Sequence, residues 1–167
     1  MTKQQRMTEP DPRLRPTGRS LPIALLRARE NVMGPIRAML GPAGVSEQKW
    51  RLLRVLDERG PLDLTTLATE ACLLLPSLTR MVRPLEQDGL IRREVPDTDR
   101  RRVIVSVTAE GKALLARHAG ESGAIFARLE ARYGAERLEQ LLDLLDDLQR
   151  LDLNAPTEMR GPNRMPD

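Results

Sequence analysis

Apolar residues recur along most of the chain at spacings of three and four, the signature of helices that bury one face. The first run follows Ser20: Ile23, Leu26, Met33, Ile36 and Met39/Leu40 keep to that spacing. Ser20 is a good cap and Pro22 fits a first helical turn. Gly34-Pro35 should bend this helix, because Pro35 gives up a backbone bond, and Gly41-Pro42-Ala43-Gly44 should end it. Ser46 caps a second helix with Trp50, Leu53, Val55 and Leu56 inward, stopped by Gly60-Pro61. Leu62-Asp63-Leu64 reads as a short extended step. Asp63 or Thr65 then caps a third helix, Thr66 to Ala71, with Leu67, Ala68 and Ala71 inward. After a bend over Cys72 to Leu75, Ser77 to Asp88 forms a fourth helix. Pro76 is tolerated in its first turn, and Gly89 supplies the left-handed residue that ends it.

The period then changes. Leu90 to Val95 and Val103 to Val107 alternate as two strands joined by the turn Pro96-Asp97-Thr98-Asp99. Thr108-Ala109-Glu110-Gly111 caps a long helix running toward Tyr133, weakened in its middle by Gly120 and Gly123. Beyond Gly134 a final helix carries Leu138, Leu141, Leu142, Leu144, Leu145, Leu148 and Leu151. Those leucines cover more than one narrow stripe, so this helix is expected to pack on two sides, one of them a partner subunit. Four helices, a hairpin and two helices make a mainly α fold with a small β-hairpin. That order suits a winged helix-turn-helix with a helical dimerisation region. The domain should cover residues 20–153, with a DNA-binding lobe about 46–108 and dimerisation helices about 20–40 and 109–153. Residues 1–19, rich in proline and basic groups, and residues 154–167 hold too few apolar side chains to offset their ordering entropy and are expected to be disordered.

Composition changes this picture only slightly. Trp50, Phe126 and Tyr133 are the only aromatic residues among 167, so the core must be aliphatic. A net charge of +3 is too small to argue for nucleic acid by itself. Its distribution says more. Residues 135–153 hold six acids against Arg137 and Arg150, whereas Lys3, Arg6, Arg13, Arg15, Arg19 and the strand–strand turn are basic. One cysteine, Cys72, leaves no internal disulfide and fits a reducing compartment. No apolar run reaches the length of a membrane span and no secretion signal is evident, so a soluble cytoplasmic protein is expected.

The chemistry lies between Leu74 and Thr108. A helix that enters the major groove needs short polar side chains near its start and cations within reach of phosphate or guanine. Ser77, Thr79, Arg80 and Arg83 supply these. Ser77 and Arg80 share one outward face and Thr79 and Arg83 the next, while Leu78, Met81, Val82 and Leu85 point inward. Arg100-Arg101-Arg102 in the turn concentrate like charge, which is costly unless an anion or individual acids neutralise it. Asp97 and Asp99 are the nearest acids. In the arrangement expected, Asp99 holds one arginine while another enters the minor groove.

These stretches resemble a known family. Ser77-Leu78-Thr79-Arg80 with Leu85-Glu86-Gln87-Asp88-Gly89-Leu90-Ile91 looks like the recognition helix of MarR-family transcription regulators. Asp99-Arg100-Arg101-Arg102-Val103 through Val107-Thr108-Ala109-Glu110-Gly111 looks like that family's wing and its return into the dimer helix. Ser20-Leu21-Pro22-Ile23-Ala24-Leu25-Leu26-Arg27-Ala28-Arg29-Glu30, Glu47-Gln48-Lys49-Trp50-Arg51 and Ala71-Cys72-Leu73-Leu74-Leu75-Pro76-Ser77-Leu78-Thr79 are similar to the HpaR branch, repressors of homoprotocatechuate degradation operons. Over roughly Ser20 to Leu151 the resemblance implies a homodimer on double-stranded operator DNA, released by a small aromatic acid such as homoprotocatechuate or 4-hydroxyphenylacetate. Separately, the sequence has no Gly-rich phosphate loop or nucleophile elbow and His118 is its only histidine, so no cofactor, metal or catalysis is expected. Pro84 departs from the family pattern and should bend the reading helix.

Arg29 falls among Leu25, Leu26, Val32 and Met33, where a charge needs a partner. It can be held in an internal ion pair, or its guanidinium can grip an effector carboxylate in a two-toothed fork. Ser20, Arg27, Trp50 and Arg51 would complete such an effector site. Cys72 reads as a core thiol or, as in some relatives of this family, an oxidant sensor. His118 reads as a surface residue. Two other functions stay open: a regulator answering to hydroxycinnamates or their CoA thioesters, and a protein-interaction module on a winged-helix scaffold.

Overall fold

The computed structural model describes residues 16–97, 99 and 102–153. The predicted arm lies outside them except for a short 3-10 turn, Thr17–Arg19, and so do Thr98, Arg100, Arg101 and the predicted tail. The chain resolves into two compact units, one up to Ile125 and one from Phe126 onward.

The first unit contains α1 (Leu21–Leu40), α2 (Glu47–Arg59), β1 (Leu62–Asp63), α3 (Leu64–Glu70), α4 (Leu75–Gln87), β2 (Ile91–Glu94), β3 (Ile104–Val107) and the start of α5 (Ala109–Tyr133). This is the expected winged helix-turn-helix, with one strand more than the expected hairpin. The extended step at Leu62-Asp63 pairs with β3, Leu62 opposite Val105 and Asp63 opposite Ile104, so the antiparallel sheet runs β1-β3-β2. Strand β2 lies on the other side of β3, Ile91 opposite Val107 and Glu94 opposite Ile104. Leu40, Leu52, Leu53, Leu56, Leu67, Leu78, Leu85, Ile91 and Val105 are fully buried, an aliphatic core drawn from four helices and the sheet.

The helix ends show how the sequence sets these boundaries. Of the two candidate caps for α3, Asp63 is the one used. Its Oδ1 accepts from the amides of Thr65 at 3.1 Å and Thr66 at 3.0 Å, so α3 starts two residues earlier than expected. Both α3 and α4 end in the same six-residue closure. Leu73 N–H donates to the Ala68 carbonyl at 2.8 Å and Leu90 N–H to the Leu85 carbonyl at 2.9 Å, with Cys72 (φ 49) and Gly89 (φ 71) in the left-handed conformation. Cys72 is therefore exposed at a helix end and not in the core; Ala71 takes the buried place beside it. Ser20 stands at the cap of α1, but its side chain makes no cap bond. Helix α1 is continuous across Gly34-Pro35, and α4 across Pro84.

Only Ile36, Met39 and Leu40 of the α1 stripe are buried, while Leu21, Leu25 and Leu26 are exposed. His118 is half-buried, not a surface residue: its ring meets Trp50 edge to face at 5.6 Å. The second unit holds the end of α5 and α6 (Ala135–Gln149), which follows Gly134. None of the α6 residues is buried, and Leu141, Leu142 and Leu144 stand in the open. Among the described residues no helix is long and apolar enough to cross a membrane.

Candidate functional site

Helix α4 carries the expected division of faces. Leu78, Val82 and Leu85 are buried, Met81 is half-buried, and Thr79, Arg80 and Arg83 are exposed, with Ser77 half-buried in the first turn. The helix starts at Leu75, two residues earlier than expected, which makes Ser77 a first-turn residue. The Thr79 hydroxyl donates to the Leu75 carbonyl at 2.9 Å, and Arg80 Nε to the Pro76 carbonyl at 3.3 Å. Pro84 has no amide to offer the Arg80 carbonyl, and Pro84 itself is exposed. Neither Arg80 nor Arg83 has an acidic partner among the described residues.

Two ion pairs fix the hairpin to the helices. Glu86 of α4 takes Arg93 of β2 through both Nε, at 2.8 Å, and Nη2, and it also accepts the Arg93 amide at 3.3 Å. The Arg93 hydrogen bonds hold the Glu86 carboxyl below its ordinary range. At the other edge Arg102 Nη2 lies 2.9 Å from Asp63 Oδ2. The Asp63 carboxyl is lowered, first by the Thr66 amide and hydroxyl and then by Arg102. The acid that holds Arg102 is thus the cap of α3 and not Asp97; Asp99 meets Arg102 through its carbonyl, which accepts the Arg102 amide at 3.1 Å. Asp63 was legible as a cap but not as a wing anchor. Arg100 and Arg101, two of the residues expected to touch DNA, lie outside the described residues. Thr79 and Arg102, with Leu75, Asp63 and Val103, line a hollow of about 340 Å³ between the reading helix and the foot of the wing.

The five residues expected to hold an effector fall into separate groups. Arg29 does not lie bare on an apolar face. It pairs with Glu47 of α2 and, at 3.1 Å, with Glu30. Glu47, its side chain only 9% exposed, also meets Arg37 at 3.3 Å and Arg51 at 3.8 Å, and Arg37 reaches Glu30 at 2.5 Å. Arg37 is pushed further up by these acids, Glu30 first. One carboxylate therefore gathers three guanidinium groups and ties α1 to α2. The Nε of Arg51 is buried with no hydrogen-bond partner among the described residues.

Trp50 belongs to another cavity. With Arg54, Asp57, Lys112, Leu115 and Ala119 it lines about 420 Å³ between α2 and the first half of α5. Lys112 lies 3.6 Å from Asp57. Arg54 was missed at the sequence level, although its place four residues after Trp50 puts it on the same helical face. Ser20 is half-buried and Arg27 exposed, and neither lines this cavity or touches Glu47.

The MarR family model matches residues 45–103. The homoprotocatechuate degradative operon repressor of Escherichia coli is 38% identical over 144 residues, covering 86% of this chain and 97% of that protein. Among solved structures, NadR in complex with 4-hydroxyphenylacetate superimposes with a TM-score of 0.74 at 37% identity, over 83% of this chain and 99% of that one. The transcriptional repressor CouR bound to a 23-mer DNA duplex does so with 0.71 at 30% identity, over 80% and 94%.

Proposed function

The chain belongs to the MarR family, and from that premise we propose that it is a ligand-responsive transcriptional repressor of an operon for aromatic-acid catabolism. A homodimer holds double-stranded operator DNA and lets it go when a small aromatic carboxylate binds. The first candidates are 4-hydroxyphenylacetate, bound in the NadR complex, and homoprotocatechuate, the compound degraded through the operon of the Escherichia coli repressor. The role is one of binding and not of catalysis, carried out in the cytoplasm.

The observation that carries this reading is the outward face of α4, cationic and without acidic partners among the described residues, coupled to the hairpin by Glu86–Arg93, while Asp63 at the cap of α3 holds Arg102 at the other edge of the sheet. Ser77, Thr79 and Arg80 face the major groove with Arg83 on phosphate at its edge, and Asp99 and Arg102 of the wing lie toward the minor groove. Residues 46–108 form the reading lobe. Residues 20–40 and 109–153 join two copies and set their reading helices about one turn of duplex, roughly 34 Å, apart.

The effector enters the Trp50 cavity. Arg54 and Lys112 lie at its walls as cations for a carboxylate, and Trp50 offers an aromatic face. Arg29, with the buried Arg51 Nε, is the second candidate; there Glu47 already occupies the place a ligand carboxylate would take.

Fluorescence anisotropy of a duplex selected from a random pool tests the reading. Affinity should fall steeply and log-linearly with salt, and Arg83→Ala should reduce the slope by about one counterion per protomer while weakening all sequences alike. Unchanged binding in both Arg83→Ala and Arg102→Ala would favour an interaction module that keeps the fold as a scaffold.

A further inference from the structure

Two leucines lead into the outward face of α4: Leu74, the extended residue at its cap, and Leu75, the first residue of the helix, from which Thr79 and Arg83 follow at four-residue steps. Leu74 is 76% exposed and Leu75 44%, although the inward residues of the same helix are buried. A single exposed leucine is ordinary. Two adjacent ones, followed by exposed Pro76, at the tip of a helix whose other outward side chains are hydroxyls and guanidiniums, form an apolar cap on a cationic face.

Two of the polar side chains that follow the half-buried Ser77 bond to the helix's own carbonyls. Thr79 donates its hydroxyl proton to the Leu75 carbonyl and Arg80 its Nε–H to the Pro76 carbonyl. Beside Ser77, the exposed surface at the start of the helix is therefore mainly the methyl groups of Leu74 and Leu75. Leu75 continues this apolar surface into the hollow it lines with Leu64 and Val103, beside Arg102. In the major groove one base-edge group is apolar, the 5-methyl of thymine. The surrounding Arg80, Arg83 and Arg102 complement phosphate, which selects duplex DNA over an apolar protein surface as the occupant.

We propose that Leu74 and Leu75 are specificity-determining residues that read thymine 5-methyl groups in the operator's major groove. This rests on the operator-binding reading above. It places thymine opposite the first turn of α4 in each half-site, with the arginine contacts on phosphates or guanines further along.

The test uses the full chain and a duplex it selects from a random pool. Each thymine of a half-site is replaced in turn by deoxyuridine, which removes the methyl and keeps the pairing. At one or two positions wild-type affinity should fall about fourfold, the value of one buried methyl group. Leu74→Ala or Leu75→Ala should bind the thymine and deoxyuridine duplexes equally at that position, and Leu74→Ala, whose side chain is 76% exposed, should melt with the wild type. Indifference of the wild type to deoxyuridine at every position, a measurement that needs no variant, would overturn the assignment while leaving operator binding intact. Discrimination that survives in both alanine variants would do the same. Selection that yields no duplex with salt-dependent affinity would overturn the operator reading itself, and this inference with it.

Discussion

Asp63 does two jobs with one carboxylate. It accepts the first amides of α3 and holds Arg102, which lies 39 residues further along. The cap was legible because Asp before Thr-Thr is a local pattern. The wing contact was not, because the neighbour of Asp63 in the sheet is set by the register of β1 on β3; the sequence offered Asp97 and Asp99 for two of the three turn arginines without saying which. Glu86 is the counterpart at the other edge. Both carboxyls are held below their ordinary values of 3.8 and 4.5. A lowered folded-state pKa stabilises the fold above the unfolded value, and that stability is lost as pH falls through the folded one. Asp63→Asn and Glu86→Gln should therefore lower the melting temperature at pH 7 by a margin that shrinks as the pH drops below about 4. Melting curves followed by circular dichroism check this; a margin that stays constant down to pH 3 contradicts it.

At the scale of elements, periodicity located the six α-helices of the described residues; what it missed has one distant cause and one local one. Strand β1 has two residues and exists because β3 is there to pair with it. Cys72 is exposed for a local reason: it occupies the left-handed position that Gly89 fills at the end of α4, and nothing in its own side chain announces that. The junction of α4, β3 and α5 is closed by Gly111. Any Cβ there would press into the Leu90 carbonyl oxygen and lie 2.7 Å from Val107 Cγ2. Thr108 braces the same corner, its hydroxyl donating to the Gly89 carbonyl at 2.6 Å and accepting the Gly111 amide at 3.1 Å. Gly111→Ala should destabilise the fold by about 1–3 kcal/mol, the usual cost of overpacking. Urea unfolding measures it, and a neutral substitution would show that α5 does not seat this closely on the sheet.

For the whole molecule the leucines outside the core matter most. The sequence pattern of α6 called for a second packing surface, and the single chain buries none of its residues. Leu21, Leu25 and Leu26 of α1 are exposed as well. Apolar surfaces of this kind are expected to close against a second copy. Sedimentation equilibrium at micromolar concentration should give a dimer, and Leu142→Glu with Leu144→Glu should give a monomer with much weakened operator affinity; a double variant that still sediments as a dimer would place the interface elsewhere. The effector was the least legible part of the sequence, because a ligand site depends on how helices pack. Arg29 stood out as a charge among apolar residues, yet its partner Glu47 was visible only once α1 lay beside α2. Trp50 was recognised, whereas Arg54 and Lys112 of the same cavity were not.

The central claim is that one ligand equilibrium controls DNA binding, and coupling of that kind must be reciprocal. The direct measurement titrates 4-hydroxyphenylacetate, and in parallel a hydroxycinnamate, into the preformed complex with a selected duplex while anisotropy is followed. The prediction is release of the duplex by one of these acids, with the half-release concentration rising as free duplex is raised. A complex that keeps its full anisotropy at saturating concentrations of both acids would contradict the account.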